Sequence, residues 1–312
     1  MSPFRPLTHP VRRSLAAALA ATVALALGAC SDAAPTTQAS TASAPDAAGA
    51  AGVPARAGEA PGTHRQYGTP VKLGEGRARS YVVLDRTGAP LELGVALDER
   101  ALDGLPAPMA HDPGTPGGHV DMHEYLLPLP AQNPTPYQLI ELDWNPAGHE
   151  PPGIYDKPHF DFHFYTISLA ERNAIDPADP AYGAKAGNYP APEYVLPGYV
   201  PPTVLAGGAP AEAVAVPRMG MHWLNPAASP ELPPTLEPFT RTFIMGTWDG
   251  KQIFQEPMIT RAFLLTKPDV EQPIPTAQRY APAGYYPSGY RVTWDAQAKE
   301  YRVALTGMAW RD

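Results

Sequence analysis

Alternating apolar and polar residues along the chain predict short β-strands separated by tight turns. Strands are predicted at 79–84, 91–96, 125–127, 137–143, 159–167, 242–247, 252–259, 290–294 and 301–305. The pair Asp249-Gly250 lies between two of these runs, and an Asp-Gly pair in that position is a strong hairpin signal. The last two runs predict a second hairpin near the C-terminus.

Few helices are expected between these strands. The chain has 41 prolines and 27 glycines among 312 residues, and both residue types break helices. A short helix capped by Asp98 is predicted at 98–105, and 171–217 reads as a long ordered loop because it lacks a clear period. The predicted fold is β-rich, mainly antiparallel, and either a sandwich or barrel-like. A small βαβ-type piece at 66–105 is the alternative for the N-terminal part.

The first 29 residues have the features of a bacterial lipoprotein signal peptide. Three arginines (Arg5, Arg12, Arg13) precede an apolar run at 14–27 that is too short to span a bilayer. The run ends in Leu27-Gly28-Ala29-Cys30, which resembles a lipobox and implies acylation of Cys30. Dual acylation anchors a protein stably, so we expect a lipid-anchored cell-envelope protein. Ser31 indicates the periplasmic face of the outer membrane in a Gram-negative host.

The amino-acid composition divides the rest of the chain into a tether and a folded domain. Residues 30–64 form a tether, because 27 of the 34 residues at 31–64 are Ala, Gly, Ser, Thr or Pro. The folded domain is predicted at 65–312, with 66–110 as a candidate N-terminal subdomain. Cys30 is the only cysteine, so the mature protein has neither a disulfide nor a thiolate ligand.

The charge balance restricts the partners. The net charge is −8, and without the three signal-peptide arginines it becomes −11, which excludes a phosphate-backbone binder such as a nucleic-acid-binding protein. The membrane is reached through Cys30. A small molecule, a glycan or a protein remains open as a further partner, and so does a homo-oligomer.

The strand at 159–165 carries the strongest chemical signal. Because side chains alternate along a strand, His159, Asp161, His163 and Tyr165 share one face and three phenylalanines share the other. Imidazole and carboxylate ligands suit Zn, Mn, Fe or Cu. The alternative interpretation is a solvated polar face or histidines hydrogen-bonded to one another, and we favour a metal or catalytic site over it.

Two distant residues complete the predicted ligand set. His222 is a candidate third imidazole, and Glu256 interrupts an apolar strand between Phe254 and Met258, which implies a buried carboxylate. An arginine or lysine could equally pair with Glu256. Met219 and Met221 raise copper as an option, but core packing explains them better. Lower-ranked candidates are His119, His123, Glu124 and His149.

Four sequence blocks resemble those of a small family of uncharacterised bacterial envelope proteins that also occurs in Thermus. The blocks are HEPPGIYD at 149–156, PHFDFHFY at 158–165, MGMHW at 219–223 and FQEPMIT at 254–260. The resemblance covers most of 66–265. It implies a secreted β-rich domain, and the family brings no assigned activity.

Two functional hypotheses follow from these observations. The first is a metal-binding envelope lipoprotein with His159, His163 and His222 as imidazole ligands and Asp161 or Glu256 as carboxylate ligand. Zinc is the favoured ion, with copper and manganese as alternatives, and metal-assisted hydrolysis or lyase chemistry would follow from an open coordination position. The second is a non-enzymatic binding or assembly module whose tyrosine-rich loops contact a protein or glycan.

Overall fold

The structure is a computed structural model that describes residues 62–108 and 122–312. All of them lie in one compact unit, Pro54–Asp312. The described strands are β1 His64–Tyr67, β2 Val71–Leu73, β3 Gly76–Leu84, β4 Pro90–Asp98, β5 His123–Leu127, β6 Leu139–Asn145, β7 His159–Tyr165, β8 Met221–Trp223, β9 Arg241–Trp248, β10 Lys251–Thr260, β11 Asp269–Pro273, β12 Gly284–Tyr286, β13 Gly289–Asp295, β14 Glu300–Thr306 and β15 Ala309–Arg311. The β-rich fold expected from the sequence is confirmed.

Two antiparallel sheets contain most of these strands. Sheet A has the order β1-β3-β4-β14-β13-β11, with β2 added beside β3, and sheet B has the order β5-β6-β7-β10-β9-β8. Strands β12 and β15 form a separate pair. Sheet A therefore joins the first strands of the domain to the last, whereas sheet B is built from the middle of the chain.

The two sheets pack face to face as a sandwich. One apolar cluster contains Val95 and Val303 of sheet A together with Leu142, Phe162 and Met245 of sheet B. The three phenylalanines of β7 all lie in this cluster, so the predicted apolar face of that strand is confirmed as core. Met221 belongs to the same cluster and Met219 to the cluster on the opposite face of sheet B, which confirms core packing for both.

The predicted hairpins form where the sequence indicates. Strands β9 and β10 pair antiparallel and are joined by Asp249 and Gly250, both with positive φ (47° and 79°), as a type I′ turn requires. Strands β13 and β14 form the C-terminal hairpin.

Five short helices connect the strands over the described residues. They are α1 Leu169–Asn173, α2 Tyr182–Ala186, α3 Pro202–Leu205, α4 Ala211–Val214 and α5 Arg261–Leu265. The expectation of a loop at 171–217 is therefore wrong in part. Each helix is at most five residues long, too short for a helical period to be visible, and local signals such as the Ser168–Glu171 capping box define α1.

The N-terminal part differs from the sequence-based expectation in two respects. The helix predicted at 98–105 is reduced to a 3-10 turn, Glu99–Leu102, although Asp98 caps it as predicted. The βαβ alternative is wrong because β3 and β4 pair antiparallel and β4 continues into the sheet through β14. Among the described residues, no helix has the length and hydrophobicity needed to cross a membrane.

Candidate metal centre

Three adjacent strands of sheet B place ionisable side chains on one face. In the β6–β7 register, Glu141 lies opposite His163, Asp143 opposite Asp161, and Asn145 opposite His159. On the other side of β7, the pairs that β10 forms with Phe164 and Asp161 place Glu256 opposite His163. Alternation on each strand puts all these side chains on the face that looks away from sheet A.

This polar face is buried rather than solvated. Glu141, Asp143, Asp161 and Glu256 are at most 2% exposed, and His159 and His163 at most 1%. A second apolar cluster surrounds them, with Tyr155, Phe239, Phe254 and Met258 among its members. The solvated-face interpretation of β7 is therefore wrong.

The first group of side chains consists of His149, His159 and Asp161. His159 Nδ1 lies 2.6 Å from the Lys157 carbonyl oxygen, and His149 Nδ1 lies 2.7 Å from the Glu150 carbonyl oxygen. Because a carbonyl only accepts hydrogen bonds, both Nδ1 atoms must donate. In the neutral rings Nε2 then carries a lone pair. The Nε2 atoms lie 3.2 Å (His159) and 3.6 Å (His149) from Asp161 carboxylate oxygens.

Asp161 is also held from β6. Asn145 Nδ2 donates to Asp161 Oδ2 over 2.7 Å, whereas Asp161 Oδ1 and His159 Nε2 have no hydrogen-bond partner in the part of the chain that the structure describes. Fixed imidazoles and an oriented carboxylate are the usual surroundings of a bound metal.

The second group consists of His163, His222 and Glu256. His163 Nε2 lies 3.4 Å and His222 Nε2 3.8 Å from Glu256 Oε2. His222 reaches this point from β8, where it lies opposite Gly246. Gly246 is required there because an added Cβ would lie 2.1 Å from the Phe254 ring, and that ring packs against His222 with centroids 5.1 Å apart.

A third group shares His163 with the second. His163 Nδ1 lies 3.0 Å from Asp143 Oδ2, and Glu141 is the other member. Glu141 accepts a hydrogen bond from the buried Arg172, which also binds Glu124 at 3.0 Å. In each of the three groups the ligand atoms lie within 4.8 Å of one another, so each could hold a metal ion.

Burial and mutual repulsion dominate the protonation of the acids. Burial, and then the nearby Asp161, raise the pKa of Asp143 well above its usual value, and the same two causes raise that of Glu256. Burial together with Asp143 raises the pKa of Glu141 to about 8. Asp161 behaves differently: although burial opposes ionisation, His159 and His149 lower its pKa well below the usual value.

The histidine pKa values are shifted as well. Burial lowers the pKa of His163 to about 4, so this ring is neutral at pH 7 and suited to bind a metal. Burial opposes the charged form of His149, but its bond to Asp161 raises the pKa above the usual value.

The five residues predicted as metal ligands from the sequence lie in two separate groups and do not converge on one point. His159 and Asp161 form the first group with His149, whereas His163, His222 and Glu256 form the second. Glu256 is buried as expected, but its nearest basic groups are the two histidines rather than an arginine or lysine. Their role as ligands stays a prediction.

The lower-ranked candidates have different positions. His149, from the turn before β7, joins the first group. Glu124 lies at the edge of the centre, where Arg172 and Arg218 bind it, and His123 Nε2 contacts the Ala107 carbonyl. His119 and Cys30 lie outside the described residues.

Sequence reasoning missed Glu141, Asp143 and Arg172. The two acids alternate with Ile140, Leu142 and Trp144 on a strand that was itself predicted. The alternation of two acids with large apolar residues was the available signal, because it indicates a strand with one apolar face and one acidic face. Arg172 follows β7 in a helix too short to be predicted, and no local pattern marks it.

One family model matches part of the chain. Residues 85–144 match the model described as "TTHB210-like: Hypothetical protein TTHB210". This segment includes Glu141 and Asp143 but ends before His149, so the four sequence blocks lie outside it. The match is consistent with the uncharacterised, Thermus-related family expected from the sequence. No curated protein and no solved structure matches the chain.

Proposed function

We propose that this protein binds a divalent transition metal ion, zinc first, on the buried face of sheet B, and that His149, His159 and Asp161 are the ligands. The observation that carries the proposal is the contact between His159 Nε2 and Asp161 Oδ1. The backbone carbonyl of Lys157 holds one proton of His159 on Nδ1, and Nε2 lies 3.2 Å from Asp161 Oδ1 without a hydrogen bond between the two atoms in the described part of the chain. A cation bound between Nε2 and Oδ1 would attract the lone pairs of both atoms.

The spacing of the ligand atoms supports the same proposal. Two atoms each about 2.0–2.2 Å from one tetrahedral ion lie roughly 3.4 Å apart. The two contacts of Asp161 measure 3.2 and 3.6 Å. The longer one exceeds the usual range of a hydrogen bond, about 2.7–3.2 Å.

The charge of the centre also favours a cation. Four carboxyl groups are buried here, and Arg172 is the guanidinium that contacts one of them, Glu141. Buried charges are paired or coordinate metals. Three protein ligands leave one position of a tetrahedral zinc ion for water or substrate, and zinc lowers the pKa of bound water to about 7.

Zinc content is the test of metal binding. The full chain, without a histidine tag, is stripped with a chelator, incubated with Zn²⁺, freed of excess ion by gel filtration and measured by mass spectrometry. We expect the wild type to retain zinc and Asp161→Asn to lose it from this group. His64→Gln, which changes an exposed histidine of sheet A, is the matched control and should retain the wild-type content.

The opposite results identify the alternative. A folded wild type that retains no Zn²⁺, Cu²⁺ or Mn²⁺ would overturn the proposal. It would favour the non-enzymatic binding module, with His159 and Asp161 as a buried ion pair. Should Asp161→Asn not fold, the wild type still decides, because bound zinc must raise its unfolding temperature and a chelator must reverse the rise.

We propose in addition that the domain is attached to the bacterial cell envelope through Cys30. The support is the order of basic residues, apolar run and lipobox in the first 30 residues. Labelling of growing cells with a radioactive fatty acid should mark the wild type, and Cys30→Ala should lose the label. Label on Cys30→Ala, or none on the wild type, would contradict this assignment.

A further inference from the structure

An ion bound at Asp161 does not explain the second group of candidate ligands, which consists of the buried His163 and Glu256 and the half-buried His222. Glu256 Oε2 and His163 Nε2 are buried, and within the described residues they have no hydrogen-bond partner. Buried polar atoms are almost always hydrogen-bonded, so these atoms indicate a ligand that the first ion does not supply.

The distances within this group match coordination better than direct hydrogen bonding. His163 Nε2 and His222 Nε2 lie 3.4 and 3.8 Å from Glu256 Oε2. Both distances exceed the hydrogen-bond range and lie near the roughly 3.4 Å between two ligand atoms of one tetrahedral ion. The ligand types, two imidazoles and one carboxylate, repeat those of the first group.

One ion cannot serve both groups. Two nitrogen or oxygen atoms bound to the same zinc ion lie at most about 4.4 Å apart, twice the longest usual bond of about 2.2 Å. Over residues 62–108 and 122–312, no set of three candidate ligand atoms within 4.8 Å combines residues of the two groups.

His163 could instead bind an ion through Nδ1, together with Asp143 and Glu141. Two observations favour Nε2. Nδ1 lies 3.0 Å from Asp143 Oδ2, a distance at which the carboxylate can accept the Nδ1 proton and hold the ring, as carboxylates do behind metal-bound histidines. Glu141 is already occupied by Arg172, whose positive charge would repel an ion placed there.

We propose that the protein binds a second divalent transition metal ion through His163 Nε2, His222 Nε2 and Glu256, with Asp143 as the positioning residue of His163. The centre then holds two ions on one sheet face, each with two imidazoles and one carboxylate. This inference rests on the proposed function, since it adds a second ion to the one held at Asp161.

The test is zinc stoichiometry measured on the full chain in four forms. The wild type should retain two zinc ions, Glu256→Gln one, Asp161→Asn one, and the control His64→Gln two. Cobalt substitution provides an independent readout, because Glu256→Gln should remove about half of the visible absorption of the Co²⁺-loaded wild type. Asp143→Asn should keep the zinc content near two and weaken the affinity of the second site by 10- to 100-fold.

The outcomes separate the two proposals. One zinc ion in the wild type, lost in Asp161→Asn and retained in Glu256→Gln, would overturn the second site and leave the proposed function intact. No zinc in the wild type would overturn both. Should Glu256→Gln not fold, anomalous diffraction from zinc-soaked wild-type crystals decides, since two peaks support the inference and a single peak at Asp161 contradicts it.

Discussion

The outer faces of the two sheets both bury charged groups, but they balance them differently. On sheet A, Arg302 lies 2.8 Å from Asp295 and 3.1 Å from Glu300, and Arg79 also binds Glu300. On sheet B, four buried carboxyl groups are accompanied by histidines and by Arg172. On sheet A two arginines therefore balance two carboxylates, whereas in the described part of the sheet B cluster four buried carboxyl groups share one arginine.

This difference indicates which cluster is structural. A buried ion pair needs its partners within the protein, because desolvation of each charge costs several kcal/mol. The cluster on sheet A meets that condition by itself. The cluster on sheet B meets it only when its acids keep their protons or a cation is added. This requirement distinguishes a candidate binding centre from an ordinary buried network.

The largest expected effect is stabilisation of sheet B by metal. At a free zinc concentration a thousand-fold above Kd, each bound ion stabilises the fold by about 4 kcal/mol. Urea unfolding of the chelated and the zinc-loaded full chain measures this difference. The variant His64→Gln should show the same stabilisation as the wild type, and equal stabilities of the two wild-type forms would contradict the comparison.

The second effect concerns the network on sheet A. Arg302→Met removes the partner of two nearly buried carboxylates, and loss of one partner of a buried pair costs about 3 kcal/mol, the lower end of the usual range. Because the network is far from the proposed ligands in the sheet topology, zinc should stabilise this variant as much as the wild type. If zinc no longer stabilises Arg302→Met, the clusters on sheet A and sheet B are not independent.

The third effect is a pH dependence of the metal-free protein. The pKa values of Glu141 (about 8), Asp143 and Glu256 are raised by burial. Between pH 6.5 and 8 these carboxyl groups keep protons in the folded state that the unfolded chain releases, so stability falls as pH rises. The raised pKa of His149 acts in the same direction. The lowered pKa of His163, about 4 in the folded state, acts weakly in the opposite direction, because the unfolded chain still loses a proton from this ring above pH 6.5.

The size of this effect follows from linkage. Each carboxyl group that stays protonated across these 1.5 pH units contributes a loss of about 2 kcal/mol. Urea unfolding at pH 6.5 and pH 8 measures the change, and saturation with zinc should reduce it. A metal-free protein that becomes more stable over the same range would show that the acids on sheet B are ionised and already compensated.

The smallest effect is on the free energy of unfolding, which two matched substitutions should change in opposite directions. In the metal-free protein at pH 8, Glu256→Gln removes an uncompensated buried acid and should stabilise by about 1 kcal/mol. Glu300→Gln removes charge-assisted bonds to two arginines and should destabilise by about 1.5 kcal/mol. Equilibrium unfolding of both variants beside the wild type measures the signs. Destabilisation by both would mean that Glu256 already has an adequate partner without metal.

The sequence predicted the candidate site only along single strands. Alternation on β7 placed His159, Asp161 and His163 on one face, and the apolar neighbours of Glu256 indicated a buried acid; the structure bears out both placements. The division of these residues into two groups of candidate ligands was not predictable from the sequence. Whether Glu256 lies beside His163 or beside His159 depends on the register between β7 and β10, which are far apart in the chain.

The contribution of β6 shows the same limit. Glu141 and Asp143 were on a predicted strand, but their chemistry depends on which strand lies next to β6. That neighbour is β7, and only this pairing sets Asp143 beside Asp161. His149 likewise joins the centre because the turn before β7 folds back over it, and its sequence context alone ranked it low.

The sequence by itself determined the β-rich class, the two hairpins and the faces of individual strands, because alternation and turn chemistry are local properties read within about ten residues. The tertiary structure alone decided that the polar face of β7 is buried, that its candidate ligands form two groups, and that four buried carboxyl groups meet there. These properties depend on strand order, register and the covering layer. Since each brings together residues from distant parts of the chain, no local pattern can encode them.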